Sequence, residues 1–349
     1  MKKNFKGLDT VRTALALAVA AGHYFYWNGT STAFPRAFFL AVDFFFVLSG
    51  FVLFQSILFD PRPKFDQFFR AFVARRFFRL FPLYAVLFVA SAATVLWLHG
   101  LADPVYYYAI SAALLQAMGL DNGATVIFAD TTIGIAWSIS VEFWLSLAFF
   151  AAVFPLTKHP ALLCSLCVAG AVLCLALIAN YSPNVMDVNL QRVSSSLLGF
   201  GGLRCILGFC CGVVAFYGYR RIAGIQGRRL LSTIEIALVA VAAILFLPDG
   251  HDPRNDLLAP CLFAVIIVVL ASEKGYLGKA LTWRMWSPIR DISYSIYLVH
   301  PLFVFAWRQL GIPFSHPLVP IYLALVITSS ILLHRFIEVP AMQWRDRVS

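Results

Sequence analysis

Long apolar segments, each near the length needed to cross a membrane as an α-helix, recur along almost the whole chain. A helix rises about 1.5 Å per residue, so about 20 apolar residues span a hydrocarbon core about 30 Å thick. The pattern predicts ten spanning helices, at residues 8–27, 37–59, 80–98, 133–156, 161–179, 196–217, 230–247, 257–270, 289–310 and 317–337. A further candidate, residues 105–120, is short for a span and is ambiguous by length. Since no long linker separates these segments, we expect one membrane domain over residues 1–349 and no soluble second domain.

The composition favours a polytopic membrane protein over a soluble one. Of the 349 residues, 61% are hydrophobic and only 13% are charged. The mean hydropathy of +0.81 is higher than a soluble globular domain needs. The expected fold class is therefore all-α, a membrane helix bundle with about ten transmembrane helices.

The distribution of lysine and arginine sets the expected orientation. If residues 105–120 do not cross, nearly all of the 27 basic residues lie on one side together with both termini. The positive-inside rule identifies that side as cytoplasmic. The exceptions are Arg36, Arg192, Arg204, Arg254 and Arg308. The net charge of +10 is then mostly a consequence of topology, and no nucleic-acid partner is expected.

Two residues of the first predicted span do not belong in lipid. Arg12 and His23 are eleven residues apart, which places them on one helix face, roughly 16 Å from each other. A charged arginine inside a span costs on the order of 2.5–3.5 kcal/mol, so we expect this face to turn away from lipid. The alternative is a snorkelling Arg12 at the cytoplasmic end and an interfacial His23 at the other.

Two carboxylates also lie inside predicted spans, where ionisable groups are rare and usually functional. Asp43 is near the outer end of span 37–59, facing the level of His23. Glu142, in span 133–156, forms a polar stripe with Ser138 and Ser146 at four-residue intervals, so it should face the bundle interior. The alternative for each carboxylate is a structural role as the partner of a neighbouring donor.

The segment before span 80–98 combines a phenylalanine stripe with three arginines. Phenylalanines at i, i+3, i+4 and i+7 from residue 65 predict an amphipathic helix lying on the inner membrane surface. It leads into Arg75, Arg76 and Arg79, which cluster at a helix end. Guanidinium groups hold phosphates through paired hydrogen bonds, but juxtamembrane arginines also bind anionic lipid headgroups. The spacing favours neither partner.

A second polar stripe runs along span 289–310 from its cytoplasmic end toward mid-membrane. Ser293, Tyr297 and His300 stand at i, i+4 and i+7, with Tyr294 beside them. Glu338, at the inner surface, is expected to pair with one of the arginines. The seven cysteines show no zinc-site spacing and are expected to pack as small apolar residues, so no metal is predicted.

Six segments follow one another in a specific order from one end of the chain to the other: GLDTVRTALALAVAAGH, VDFFFVLSGF, RRFFRLFPLY, WSISVEFW, ISYSIYLVHP and FIEVP. This ordered set resembles the acyltransferase-3 family of integral membrane acyltransferases. The resemblance implies ten or so helices in the cytoplasmic (inner) membrane and acyl-coenzyme A as the donor. It also implies that the family's essential residues are, in this chain, Arg12, His23, Asp43, Arg76 and Arg79 with Arg75 before them, and Glu142.

These residues suggest a mechanism. The arginines suit the phosphates of acyl-coenzyme A, and Arg12 would line the donor channel. As a general base, His23 would take the proton from an acceptor hydroxyl while that oxygen attacks the thioester carbonyl. Asp43 or Glu142 would hold the imidazole in the right tautomer and stabilise the imidazolium, as the aspartate does in a serine-protease triad.

The remaining polar residues of span 289–310 are candidates for substrate binding. Ser293, Tyr294, Tyr297 and His300 would line the passage or polarise the thioester carbonyl. The sequence does not decide among these roles.

The sequence therefore predicts a membrane-bound O-acyltransferase. It would move an acyl group, with acetyl expected, from cytoplasmic acyl-coenzyme A to a hydroxyl of a cell-envelope glycan, a lipid-linked sugar or a similar acceptor. Membrane lipids are further partners. The alternative is a proton-coupled secondary transporter or exporter, because intramembrane histidine and carboxylates also suit a proton relay. The arginine cluster and the lack of an internal repeat in the sequence favour the enzyme.

The topology yields a labelling prediction. Residues 216–230 are expected to be cytoplasmic, so a cysteine introduced at Gly224 should not react with an impermeant thiol reagent added outside intact cells. A cysteine at Asn184, in a loop predicted to lie outside, is the matched positive control in the same cysteine-free background. Labelling at position 224 would contradict the ten-span topology.

Overall fold

The structure, a computed structural model, describes residues 3–27, 35–60, 64–100, 105–118, 132–187, 199–224, 227–246 and 252–348. Helices make up 84% of it, and these ranges contain no strand, which confirms the all-α prediction. The α-helices are α1 Lys6–Tyr26, α2 Ala41–Leu58, α3 Phe65–His99, α4 Val105–Ala112, α5 Thr132–Ile135, α6 Trp137–Val153, α7 Pro160–Tyr181, α8 Phe200–Ile222, α9 Arg228–Phe246, α10 Ala259–Ala271, α11 Tyr276–Leu281, α12 Ser293–Gln309, α13 Val319–Leu333 and α14 Val339–Val348. A π-helical segment, His334–Glu338, joins α13 to α14.

Seven helices within the described ranges are long and apolar enough to cross a membrane. They are Arg36–Leu58, Phe65–Leu98, Trp137–Lys158, Pro160–Tyr181, Phe200–Ile222, Pro253–Ala271 and His316–Asp346. The other three predicted spans coincide with α1, α9 and α12. α12 has only 17 residues, and α1 carries Asp9, Arg12 and His23. The count of ten and the cytoplasmic placement of both termini therefore stay predictions.

The ambiguous segment at residues 105–120 begins with a short helix and then folds back. α4 has eight residues, a length of about 12 Å that cannot cross a bilayer. After it, the carbonyl oxygen of Leu114 accepts hydrogen bonds from Ser140 Oγ at 2.6 Å and Trp144 Nε1 at 3.0 Å. The described part of the segment, residues 105–118, thus packs against α6, and its place relative to the membrane stays a prediction.

The predicted surface helix before span 80–98 is wrong as a separate element. α3 is one continuous helix of 35 residues that passes through Pro82. Phe68 and Phe72 are buried, and their rings lie 4.8 Å from Phe154 and 5.8 Å from Phe150, respectively. The periodicity identified an apolar face correctly, but α6 and the turn after it cover part of that face.

Among the described helices, α2 and α8 share the most extensive contact, and glycines make the close approach possible. A Cβ added at Gly212 would lie 2.3 Å from the carbonyl oxygen of Val47, and one at Gly208 would lie 2.5 Å from Phe46 Cβ. On the facing helix, a Cβ at Gly50 would lie 2.7 Å from the backbone of Phe209. Small residues at four-residue spacing allow this backbone contact in membranes, where apolar side chains gain little from leaving lipid.

α1 packs along α12, and polar contacts line their interface. Thr13 Oγ1 donates to the carbonyl oxygen of Arg290 at 2.9 Å, just before α12 begins. On the same interface, Arg12 contacts Ser293 and His23 contacts His300, both on α12. This face of the first helix therefore packs against another helix, α12.

Candidate active site

His23 and His300 form a hydrogen-bonded pair of imidazoles that meet edge to edge. His23 Nδ1 is 2.8 Å from His300 Nε2, and the two rings are nearly parallel, with centroids 5.1 Å apart. The ring of Trp27 stacks on His23 at 4.3 Å, while Phe38 meets it edge-on at 5.1 Å. His300 is fully buried, and its other nitrogen, Nδ1, is 3.1 Å from the carbonyl oxygen of Ile296.

Asp43 does not contact His23, because Arg204 holds both of its carboxylate oxygens. Arg204 Nε donates to Oδ1 at 3.0 Å and a terminal nitrogen donates to Oδ2 at 2.7 Å. Both side chains are almost completely buried, and the guanidinium lies 5.4 Å from the ring of Trp137. A bidentate pair of this kind compensates the cost of burying two charges far better than a single contact would.

Glu142 is also engaged elsewhere. Its Oε1 accepts from Ser49 Oγ at 2.8 Å and from a terminal nitrogen of Arg76 at 3.0 Å. The carboxylate therefore connects α2, α3 and α6, and it faces the bundle interior as predicted. The expected hydrogen bond between His23 and a carboxylate is absent from the described residues, and an imidazole takes its place.

The three clustered arginines have different surroundings. Arg75 pairs with Asp60 at 3.1 Å, and Arg76 is buried against Glu142 with its Nε lacking a hydrogen-bond partner. Arg79 is exposed and, within the described ranges, makes no hydrogen bond or ion pair. Its charge acts on Arg12 and on the neighbouring Asp9. Arg79 is therefore the cation of the cluster that is open to an anionic ligand.

The polar stripe of α12 connects the arginines to the histidine pair. Arg12 Nε donates to Ser293 Oγ at 2.7 Å. One turn further on, the Tyr297 hydroxyl is 2.8 Å from Ser138 Oγ, and after another turn His300 meets His23. Ser293 and His300 are seven residues apart, roughly 10 Å along the helix.

Two other residues of this region have structural partners. The Tyr294 hydroxyl donates to the carbonyl oxygen of Leu80 at 2.5 Å, which ties α12 to α3. Glu338 accepts from Ser295 on one oxygen and lies 3.2 Å from His334 Nδ1 on the other. The expectation that Glu338 pairs with an arginine is wrong, because a hydroxyl and an imidazole occupy its two oxygens.

Comparison with known proteins gives a family for this arrangement. A family model described as an acyltransferase domain matches residues 5–335, nearly the whole chain. The chain belongs to the acyltransferase-3 family. With its apolar helices, membership makes it a multi-pass membrane acyltransferase. No curated protein and no solved structure matches the chain.

In this acyltransferase, sequence analysis missed the role of Arg204. It was noted only as one of the few basic residues outside the cytoplasmic side. The signal was available, because Arg204 stands four residues before Gly208 and eight before Gly212, on the glycine face of a span. Asp43 lies on another span that contains a glycine, Gly50. A carboxylate inside a span needs a cation as its partner, because an isolated charge there is costly.

Glu235 of this acyltransferase was also missed, and its role is structural. Its carboxylate accepts hydrogen bonds from the backbone nitrogens of Leu277 at 3.0 Å and Gly278 at 3.1 Å, at the start of α11. A Cβ at Gly275 would lie 2.2 Å from this carboxylate. Glu235 therefore docks α11 onto α9 and is not a candidate for chemistry.

The described part of the acyltransferase shows no group that could hold a metal ion, and a basic cavity lies away from the histidine pair. Among these residues no group of three or more histidine, cysteine or acidic side chains could hold a metal ion. The cavity has a volume of about 660 Å³ and is lined by Asn4, Lys6, Gly227, Arg228, Glu273, Lys274, Lys279 and Thr282. None of the predicted site residues lines it.

The Asp43–Arg204 pair yields a prediction that separates a structural role from a catalytic one. Asp43→Asn alone removes the charge that faces the buried Arg204 guanidinium, which should cost about 3–5 kcal/mol and lower the thermal midpoint in detergent. The double variant Asp43→Asn with Arg204→Gln removes both charges and should regain most of the stability and the acyl transfer per folded molecule. A double variant that folds but transfers nothing would give Asp43 a direct role in the reaction.

Proposed function

We propose that this protein is a membrane-bound O-acyltransferase that uses cytoplasmic acyl-coenzyme A, with acetyl as the expected acyl group. The acceptor is a hydroxyl of a cell-envelope glycan, a lipid-linked sugar or a similar molecule, reached in the cytoplasmic (inner) membrane. One observation carries the proposal: α12 contacts Arg12 through Ser293 and, two turns further on, contacts His23 through His300. Family membership supports the reaction class.

The donor end of this arrangement is cationic. Arg79 has no ion pair among the described residues. Arg12 forms an ion pair with Asp9 at 3.4 Å, and the buried Nε of Arg76 has no hydrogen-bond partner. Coenzyme A carries its phosphates at one end and the thioester at the end of a long, narrow arm. Guanidinium groups near the inner surface suit the phosphates, because each offers paired donors to phosphate oxygens.

The histidine end suits the acyl transfer itself. His23 takes the proton of the acceptor hydroxyl while the oxygen attacks the thioester carbonyl. The new carbon–oxygen bond forms as the carbon–sulfur bond breaks, and the departing coenzyme A thiolate regains a proton from the imidazolium. The acyl group moves from the sulfur to the acceptor oxygen, and the proton moves from that oxygen to the sulfur by way of His23. The base therefore returns to its starting state.

The transporter alternative receives less support from these contacts. A proton relay needs carboxylates that can change protonation, but Asp43 and Glu142 are each engaged with an arginine. The open cation Arg79, by contrast, has a clear use in binding a phosphorylated donor.

The donor site predicts a specific loss of affinity. Arg79→Ala should weaken acyl-coenzyme A binding about 10- to 100-fold, as expected for loss of a hydrogen bond between charged groups. Arg79→Lys should restore only part of the loss, because an ammonium cannot reproduce the planar fork. Arg70→Ala is the matched control, since it removes another exposed cation of the same helix. Equal donor affinity in the Arg70 and Arg79 variants would return Arg79 to the role of a lipid anchor.

The base predicts a loss of turnover without loss of folding. His23→Gln should lower acyl transfer per folded molecule by about 10²–10⁴-fold, because an amide cannot carry the proton. Donor binding should persist, and His159→Gln, at an exposed histidine, should behave as wild type. The measurement is transfer of a labelled acyl group from acyl-coenzyme A to envelope material by purified protein. Near-normal turnover in His23→Gln would contradict the general-base assignment.

A further inference from the structure

We infer that His300 is a positioning residue that holds His23 in the tautomer with its proton on Nδ1, leaving Nε2 as the basic nitrogen. The inference rests on the proposed function for its use of the base. Its structural part, the direction of the hydrogen bonds through the two rings, can be tested without turnover.

The hydrogen of the neutral His300 ring is on Nδ1. Its Nδ1 is 3.1 Å from the carbonyl oxygen of Ile296. Carbonyl oxygens only accept hydrogen bonds, so Nδ1 must carry a hydrogen.

The proton position on His300 determines which nitrogen of His23 carries a hydrogen. A neutral imidazole has one N–H, so His300 Nε2 carries a lone pair and accepts. His23 Nδ1, 2.8 Å away, must then be the donor. The neutral His23 ring consequently has its hydrogen on Nδ1 and its lone pair on Nε2. The backbone of α12 thus determines the tautomer of a residue on α1.

The basic nitrogen of the neutral His23 ring is Nε2. Among the described residues nothing hydrogen-bonds to His23 Nε2, while Trp27 and Phe38 hold the ring by stacking and edge contact. Nε2 is therefore available to an acceptor hydroxyl. Its orientation does not depend on any carboxylate of the described structure.

The pair also serves the charged state of the base. When Nε2 takes the acceptor proton, the Nδ1–H of His23 becomes a stronger donor to His300 Nε2. This stronger hydrogen bond stabilises the positive charge of the imidazolium. A neutral acceptor stabilises an imidazolium less than a carboxylate would. It also adds no permanent charge to a buried site, so the resting pair needs no counter-ion.

The experiment measures the tautomer and the rate together. Protein labelled with ¹⁵N at histidine, in lipid nanodiscs near pH 8, gives nitrogen shifts that distinguish N–H from lone-pair nitrogens. The His23 signals are identified by their loss in His23→Gln. In wild type, His23 should carry its proton on Nδ1. In His300→Phe, which keeps a ring but accepts nothing, the proton should move toward Nε2.

The rates should follow the tautomer. His300→Phe should lower kcat about 10- to 100-fold, by analogy with the loss on removing a partner that orients a metal-bound histidine, with KM for acyl-coenzyme A nearly unchanged. His300→Gln, whose amide oxygen accepts from His23 Nδ1–H, should recover part of kcat and the Nδ1 proton. His159→Phe is the matched control and should change neither quantity.

The outcomes separate this inference from the proposed function. A wild-type His23 with its proton on Nε2 would overturn the inference even if His300→Phe does not fold. So would wild-type kcat in a folded His300→Phe variant. The expected tautomer in a protein that transfers no acyl group would overturn the proposed function and leave the hydrogen-bond direction intact.

Discussion

The contact between α2 and α8 is the constraint on which the rest of the structure depends. Gly50, Gly208 and Gly212 let the two backbones touch, and the same seam ends in the bidentate Asp43–Arg204 pair. Lipid gives apolar helices little reason to associate, so close backbone packing and buried hydrogen bonds must hold them. The seam buries both charged groups, and the ion pair is tolerated because two hydrogen bonds in bidentate geometry compensate the cost of that burial. From α2 the polar contacts continue through Ser49 to Glu142 and Arg76, which position α6 and α3.

The two halves of the candidate site solve the problem of buried ionisable groups differently. On the side of α2, α3, α6 and α8, each carboxylate is neutralised by an arginine: Asp43 by Arg204 and Glu142 by Arg76. On the side of α1 and α12, His23 and His300 share one hydrogen bond and need no counter-charge. Both solutions avoid an isolated charge in the membrane interior, which would be costly. Only the second leaves a group with a free lone pair and no fixed charge, which is what a general base requires.

Sequence patterns identified the helices and the functional faces but not the partners across them. Period and length placed Arg12 and His23 on one face, and Ser293, Tyr297 and His300 on another, because helical spacing is a local property. The bond between His23 and His300 joins residues 277 positions apart, and that between Asp43 and Arg204 spans 161. Spacing along one helix carries no information on which other helix covers its face. The phenylalanines from residue 65 show the same limit, since lipid and α6 satisfy an apolar stripe equally well.

The separation of charge along α12 follows from these pairings. If a carboxylate oriented His23, the site would hold a further buried anion, and an additional cation would have to lie beside it, as Arg204 lies beside Asp43. That cation would compete for the phosphates of the donor or draw them toward the reacting end. With an imidazole in that place, no further cation is needed beside His23. Arg12, which is paired with Asp9, stays at the Ser293 end, roughly 10 Å from His300 along the helix. In the proposed function, this separation of charge would orient a donor that has phosphates at one end and a thioester at the other, with its uncharged end at the base.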